Sequence, residues 1–206
     1  MNEITLIVAR HGETLPGGAM GQSDRPLSPH GAAQAQELAA RLEAQEIHTF
    51  YTSDLGRTVQ TAEAIAKTIR IPFVPDERLR ERDIGVLTGL TESECREKHP
   101  EVLAGHDEHG ESYVIPEGES GQQHMARVGD FLDEVSGRSD ASVVLAVTHG
   151  GTLRCLLRHV LGFSYHSVLK MDCDNAGVSV FRWNGTEWIL VSWNETWHLS
   201  APQDQA

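Results

Sequence analysis

Three short stretches of this chain combine residue types that can handle a phosphoryl group. Arg10-His11-Gly12-Glu13-Thr14 ends one apolar run, LIVA, and Thr148-His149-Gly150-Gly151 ends another, SVVLAV. Ser53-Asp54-Leu55-Gly56-Arg57-Thr58 places an arginine at a predicted helix start. A guanidinium offers several donors in a fixed fork and keeps its charge, so two of them suit an oxyanion. A neutral imidazole nitrogen can act as nucleophile or general base. Glycine beside such groups permits close backbone approach, and the N–H groups of a helix start favour negative charge. Each piece alone has a plainer reading. A lone histidine after a strand is more often structural, Arg57 could serve only an ion pair with Asp54, and Gly-Gly often only shapes a turn. Their joint occurrence at strand ends, where α/β sheets bind ligands, favours the chemical reading.

These residues need a scaffold, and the periodicity supplies one. Ile4–Ala9 and 142–147 read as strands buried on both faces. Ser28 followed by Pro29 predicts a helix start, with Ala35, Leu38, Ala39 and Leu42 on its apolar face. A short strand is predicted over 48–51. Next comes a helix capped from Thr52-Ser53-Asp54 and carrying Leu55, Val59, Ala62, Ile65 and Ile69. A strand near Phe73–Val74, a short helix near Thr91–Lys98 and an acidic loop to Gly118 are expected. Ser120-x-x-Gln123 is a capping box for a helix ending at Gly137. Another helix, with Leu153, Leu157 and Val160, stops at Gly162, and a hairpin with a two-residue turn is expected at Asn184-Gly185. Strand–helix alternation predicts an α/β fold: a three-layer αβα sandwich with a mainly parallel central sheet and a C-terminal β-hairpin. No linker or repeat divides the 206 residues, so one domain over 1–206 is expected.

The bulk properties exclude several partner classes. A formal charge of −13 argues against nucleic acid or an anionic membrane surface. It does not exclude a small anion, because surface charge is screened beyond about 8 Å while arginines inside a pocket act directly. No apolar run is long enough to span a bilayer, and MNEITLIVARHGE does not read as a secretory signal. Cys95, Cys155 and Cys173 form no cluster, which predicts reduced, inert thiols in a cytoplasmic setting.

Taken together, RHGET (10–14), GQSDRPLSPHGAAQA (21–35), YTSDLGRTVQTA (51–62), LRERDIGVLTG (79–89), PEGES (116–120), VTHGG (147–151) and the closing HL (198–199) resemble the histidine phosphatase superfamily. The matching branch includes cofactor-dependent phosphoglycerate mutases and small phosphomonoesterases. The resemblance implies that His11 is the histidine that becomes phosphorylated. It implies that Arg10, Arg57 and His149 clamp the phosphoryl oxygens, and that Glu81 is the proton donor to the leaving oxygen. Many members carry asparagine where this chain has Gly17, so a phosphate donor there is expected from Ser23 or from backbone N–H, with Gly150 the candidate. Phosphoryl transfer asks mainly for positioning and charge neutralisation, which these residue types supply with no cofactor or metal.

Within that resemblance the departures point to a phosphatase. Ile84 and Glu92 stand where the mutases have tyrosine and lysine, the 93–118 stretch is acidic, and the chain is shorter. The expected substrate is therefore a small phosphorylated metabolite, with selectivity in a rim made of 15–25, Arg82 and 99–118. Two other classes were open at this level. A metal-dependent hydrolase would use His106-Asp107-Glu108-His109-Gly110-Glu111, although no HExxH is present and a solvated acidic loop is the plainer account. A non-catalytic phosphate-binding module would not need His11 or Glu81. Oligomeric state is open, with a homodimer through the exposed hairpin edge as the candidate.

Overall fold

The structure is a computed structural model and describes residues 3–17, 20–139, 142–164 and 171–200. Six strands form one sheet: β1 (Ile4–Arg10), β2 (Thr49–Thr52), β3 (Val74–Pro75), β4 (Ser142–Thr148), β5 (Val178–Trp183) and β6 (Trp188–Glu195). Their order is β3-β2-β4-β1-β5-β6. The first four run parallel, and β5 and β6 add antiparallel. The helices are α1 (Pro29–Leu42), α2 (Gly56–Ile69), α3 (Glu92–Lys98), α4 (Pro100–His109), α5 (Gly121–Ser136) and α6 (Gly150–Leu161).

The central strands explain the layering. Alternate side chains leave opposite faces of a strand. Leu6 and Val8 of β1, with Val144 and Ala146 of β4, pack against Val128, Leu132, Leu153 and Leu157 of α5 and α6. Ile7, Ala9, Leu145 and Val147 pack on the other face against Leu38, Leu42, Ala62 and Ile65 of α1 and α2. Each fully buried leucine contributes about 1.5–3 kcal/mol, and both faces of these strands are buried. The three-layer arrangement and the C-terminal hairpin match the expectation.

Three local expectations are corrected. The segment after Lys98 is not a loop. It forms α4, with Pro100 in its first turn and Val102 buried against Leu87, Cys95 and Ile115, and a short 3₁₀ turn follows over Gly110–Ser112. The hairpin turn has four residues rather than two. Trp183 pairs with Trp188, and the Asn184 side-chain oxygen accepts from Thr186 N, Thr186 Oγ1 and Glu187 N, which stabilises the wider turn. The residues expected to cap α2 do not cap it. Leu55 is its N-cap, and Ser53 and Asp54 are engaged elsewhere. The caps at Ser28 and Ser120 are present, the latter as a complete capping box. Among the described residues no helix is long and apolar enough to cross a membrane.

Candidate active site

The parallel pairing of β1 with β4 sets Arg10 opposite Thr148, so the two histidine motifs leave the sheet side by side. His11 N donates to Thr148 O (3.0 Å), while the His11 carbonyl accepts from Ala176 N (3.1 Å) and Asn175 Nδ2 (3.0 Å). The turn before β5 therefore holds the strand end from beneath. His198 Nε2 donates to Ala176 O (3.1 Å), which ties the closing HL motif to the same turn.

Four hydrogen bonds define the state of the histidine pair. His11 Nδ1 donates to Gly12 O at 2.7 Å, leaving Nε2 without a proton. Arg57 Nε donates to that Nε2 (3.2 Å) and to His149 Nδ1 (3.1 Å). His149 Nε2 then donates to Ser53 Oγ at 2.9 Å. Burial, followed by the charges of Arg57 and Arg10, lowers the His11 pKa to about 3 against an opposing pull from the Gly12 bond. Burial, then His11 and the same arginines, hold His149 well below its ordinary value. Both rings are neutral near neutral pH.

The arginines are anchored through backbone carbonyls rather than carboxylates. Arg57 donates to Ser23 O (2.7 Å) and Gly21 O (3.1 Å), and Arg10 donates to Cys173 O. Arg10 Nε is buried and has no partner. Two helices begin here, α2 carrying Arg57 and α6 beginning at Gly150. Neither N-cap residue, Leu55 or His149, caps its helix with its own side chain, whereas those of α1, α3 and α5 do. On α6 the Gly151 N–H is instead taken by the Glu81 carboxylate, so a helix start here already holds an oxyanion.

Glu81 enters from the irregular segment between the strands. Its carboxylate accepts from Gly151 N (2.9 Å) and Arg82 N (2.9 Å). A Cβ at 151 would displace that carboxylate, so glycine leaves Glu81 its place there. In a strand-like segment the side chains of Arg80 and Arg82, flanking Glu81, would both face away from it. Arg80 does, through a bidentate pair with Asp54. Arg82 lines the same cavity as Glu81.

The segment bearing Glu81 is clamped from below by residues that sequence reasoning missed. Arg127 of α5 donates to Arg78 O (2.7 Å), Arg80 O (2.8 Å) and Glu81 O (2.9 Å). It is also paired with Glu119 at 2.6 Å. Thr148 Oγ1 donates to Leu79 O (2.6 Å), and Thr152 Oγ1 to Arg80 O (2.7 Å). His124, buried and lowered to about 2 by desolvation and by the charges of Arg127 and Arg82, meets Thr152 Oγ1 at 3.1 Å. The signals available were the PEGES motif and an arginine on the inner face of the following helix.

A cavity of about 560 Å³ opens over these groups and includes Arg10, His11, Ser23, Arg57, Glu81 and Gly151 in its wall. Ser23 lines it, and its carbonyl orients Arg57. Gly150 is buried beside the Arg10 and Arg154 guanidiniums, and the cavity wall is instead formed by its neighbour Gly151. Glu13, the alternative acid by position, is exposed, and its carboxylate accepts from the Ser28 hydroxyl at the start of α1. Of the expected rim, Met20, Gly21, Ser23 and Arg25 reach the cavity, together with Arg82; Gly18 and Ala19 lie outside the described residues. The 99–118 segment contributes none of the lining residues, because it packs into its own cluster. The 106–111 run closes α4, and among the described residues no group of three metal-binding side chains occurs. Cys95, Cys155 and Cys173 are buried and free, with the thiol of Cys155 pushed up to about 12 by desolvation.

Comparison with known proteins agrees with this geometry. The family model described as histidine phosphatase superfamily (branch 1) matches residues 6–196. A Yersinia enterocolitica protein named probable phosphoglycerate mutase GpmB is 35% identical over 97% of this chain and 96% of its own length. Bacillus stearothermophilus YhfR superposes with a TM-score of 0.84 at 29% identity, over 95% of this chain and 98% of that one. The mycobacterial glucosyl-3-phosphoglycerate phosphatase does so with a TM-score of 0.79 at 26% identity, over 95% and 100%. A putative alpha-ribazole-5'-P phosphatase from Escherichia coli shares the fold, with a TM-score of 0.87 at 23% identity over 94% and 97%. With its two histidine motifs joined at one strand pair and a family match over nearly its whole length, the chain belongs to the histidine phosphatase superfamily, branch 1.

Proposed function

We propose that the protein is a phosphatase that hydrolyses a small phosphomonoester through a phosphohistidine at His11. The observation that carries this reading is the state of His11: its proton lies on Nδ1, bonded to Gly12 O, and its bare Nε2 shares a cavity with Arg10, Arg57 and Glu81. In the first step the Nε2 lone pair forms a bond to phosphorus. The bond from phosphorus to the leaving oxygen breaks, and a protonated Glu81 passes its proton to that oxygen. In the second step water attacks the phosphoryl group, Glu81 accepts a proton from it, and the N–P bond breaks to release phosphate. Arg10 and Arg57 neutralise the equatorial oxygens. The Ser53 hydroxyl can donate or accept, so His149 can carry its proton on either nitrogen, and an oxygen arriving at Nδ1 selects the tautomer that donates to it. Two guanidiniums do the electrostatic work of a divalent ion, and the reading includes no metal or cofactor.

Hydrolysis rather than mutase transfer is favoured by Ile84 in the cavity wall and by Glu92, which pairs with Arg96 on α3 at 2.5 Å and lies outside that wall. The similarity to a phosphatase of known structure at 26% identity points the same way. The second reading, a phosphoglycerate mutase, is favoured by the name of the 35% identical relative. The cytoplasm, with its reduced thiols and phosphorylated metabolites, is the proposed setting. The test is rapid quenching with ³²P-labelled phosphomonoesters, which traps an acid-labile, base-stable adduct in the wild type and none in His11→Ala. Retained turnover in His11→Ala overturns the mechanism. Faster conversion of 3-phosphoglycerate to 2-phosphoglycerate than phosphate release, with a bisphosphate primer present, overturns the phosphatase assignment.

A further inference from the structure

The closing His198-Leu199 motif is not part of the cavity wall over His11, and the chemistry proposed above gives it no role. Its place becomes clear from the segment 172–177, which precedes β5 and belongs to no helix or strand. One side of that segment meets the end of β1. Cys173 O accepts from the Arg10 guanidinium, and Gly177 O accepts from Arg10 N at 3.1 Å. Asn175 Nδ2 and Ala176 N both donate to His11 O, at 3.0 and 3.1 Å. These bonds fix the backbone of the proposed nucleophile and the guanidinium beside it.

The other side is gripped at every second position by the end of β6 and the residues after it. Trp193 Nε1 donates to Asp172 O (2.7 Å). Asn194 Oδ1 accepts from Asp174 N (2.8 Å), and its Nδ2 donates to the Asp174 carboxylate (2.7 Å). His198 Nε2 donates to Ala176 O (3.1 Å). The ring proton is on that nitrogen because Nδ1 faces Arg41 Nη1 at 3.0 Å, and a guanidinium can only donate. Arg41 lies on α1, so His198 ties the segment to the helix layer as well. The local backbone is shaped for this grip. The β5–β6 register shifts between the Val178–Glu195 and Val180–Ser192 pairs, and Asn194 lies in that irregularity with a φ of +52°. Such a bulge re-aims a side chain, here over the segment. Gly177 admits it, since a Cβ there would collide with Asn194 Oδ1. Ala176 holds a φ of +56°, which its side chain disfavours, so the turn needs support from its surroundings.

We infer that Asn194 and His198 are positioning residues for the nucleophile: through 172–177 they set where His11 and Arg10 stand, without touching the substrate. This rests on the proposed phosphohistidine reading. A segment with no ladder of its own keeps its place through these bonds and the packing of Ala176, and displacing it moves the His11 backbone. Misplacing a reacting group by about 1 Å costs on the order of 10²-fold in rate. A merely structural role would stabilise the hairpin and leave the rate constant untouched.

The test uses nitrophenyl phosphate, whose leaving group needs no proton, so the rate reads His11 rather than Glu81. Nitrophenolate release is followed in single turnovers with enzyme in saturating excess. Partial unfolding then lowers the concentration of active enzyme but not the saturating rate constant. His198→Leu keeps bulk without a donor, and Asn194→Gly keeps the positive φ without the side chain; in both, that constant should fall by about 10–100-fold. His198→Gln places an amide donor where Nε2 stands and should recover most of the rate. An unchanged constant in either variant, with only a lower urea midpoint, overturns the inference for that residue and leaves the phosphohistidine standing. A loss in His198→Gln equal to that in His198→Leu overturns it for His198. If rapid quenching traps no adduct in the wild type, the phosphohistidine reading falls and this inference falls with it.

Discussion

Acidifying the protein from about pH 7.5 to about pH 5.5 should remove much of its stability, through the buried histidines alone. His11 and His124 have native pKa values of about 3 and about 2, and His149 lies well below 6.5. In the unfolded chain each returns to about 6.5. The folded state therefore holds these rings neutral while the unfolded state binds protons once the pH drops below that value. Their contribution is fully present above about 6.5 and is lost progressively as the pH falls towards the native values. Across the two units each ring costs a little over about 1 kcal/mol, so the three together cost about 3–4 kcal/mol of a total typically near 5–15 kcal/mol. The lowered carboxylates, Asp54 by its bond to Arg80 and Glu195 by hydrogen bonds from Ser192 and Arg41 that outweigh desolvation, titrate below this window and do not contribute to it. His198, half-buried and also lowered, adds a fraction. With a urea m-value of about 2–3 kcal/mol/M, the midpoint should move down by about 1–2 M. Urea titrations in phosphate-free buffer at the two pH values measure this, and His124→Gln, which keeps a donor for Thr152, should remove about a third of the shift. A loss below about 1 kcal/mol, less than one ring's share, would mean that no ring keeps a strongly depressed pKa in the native protein, and the lowered pKa of His11 would be refuted.

Three further outcomes follow from the site. Arg127→Ala takes a donor from the carbonyls of Arg78, Arg80 and Glu81 and removes the cation paired with Glu119 at a half-buried position; urea denaturation should show a loss of about 2–4 kcal/mol. In Arg127→Lys the displaced Glu81 should lower kcat/KM for alkyl phosphates by up to about 10²-fold, with nitrophenyl phosphate affected less. Glu81→Gln should cost about 10²–10⁴-fold in kcat/KM on an alkyl phosphate, which expels a basic alkoxide, and little on nitrophenyl phosphate, whose phenolate needs no proton; equal losses would give Glu81 a positioning role instead. Exhaustive chelation should leave kcat unchanged, and a loss restored by one divalent ion would redirect attention to the 106–111 run.

Much of the scaffold was legible because its signals are local. The apolar runs of β1 and β4, the Ser-Pro start of α1, the Ser120-x-x-Gln123 box and the Gly162 stop depend on neighbours within a few residues, and all are present. Arg10, His11, Arg57 and His149 were legible for the same reason, since each lies at a strand end or helix start inside a short motif. The acidic stretch before Gly118 was misread because Val102 becomes helical by packing on Leu87, Cys95 and Ile115, contacts that no local pattern announces. Ser53 and Asp54 looked like caps by type, yet a better partner for each arrived from afar, His149 for one and Arg80 for the other. What only the tertiary structure decided is which isolated residues converge. Arg127, Arg154 and Asn175 sit in no motif, and each acquires its place because burial of both faces of β1 and β4 sets their register and brings separate loops and helix starts to one end of the sheet. The low pKa of His11 belongs to the same category: the adjacent arginines were visible in the sequence, but the larger cause is burial, which is a property of the packed chain.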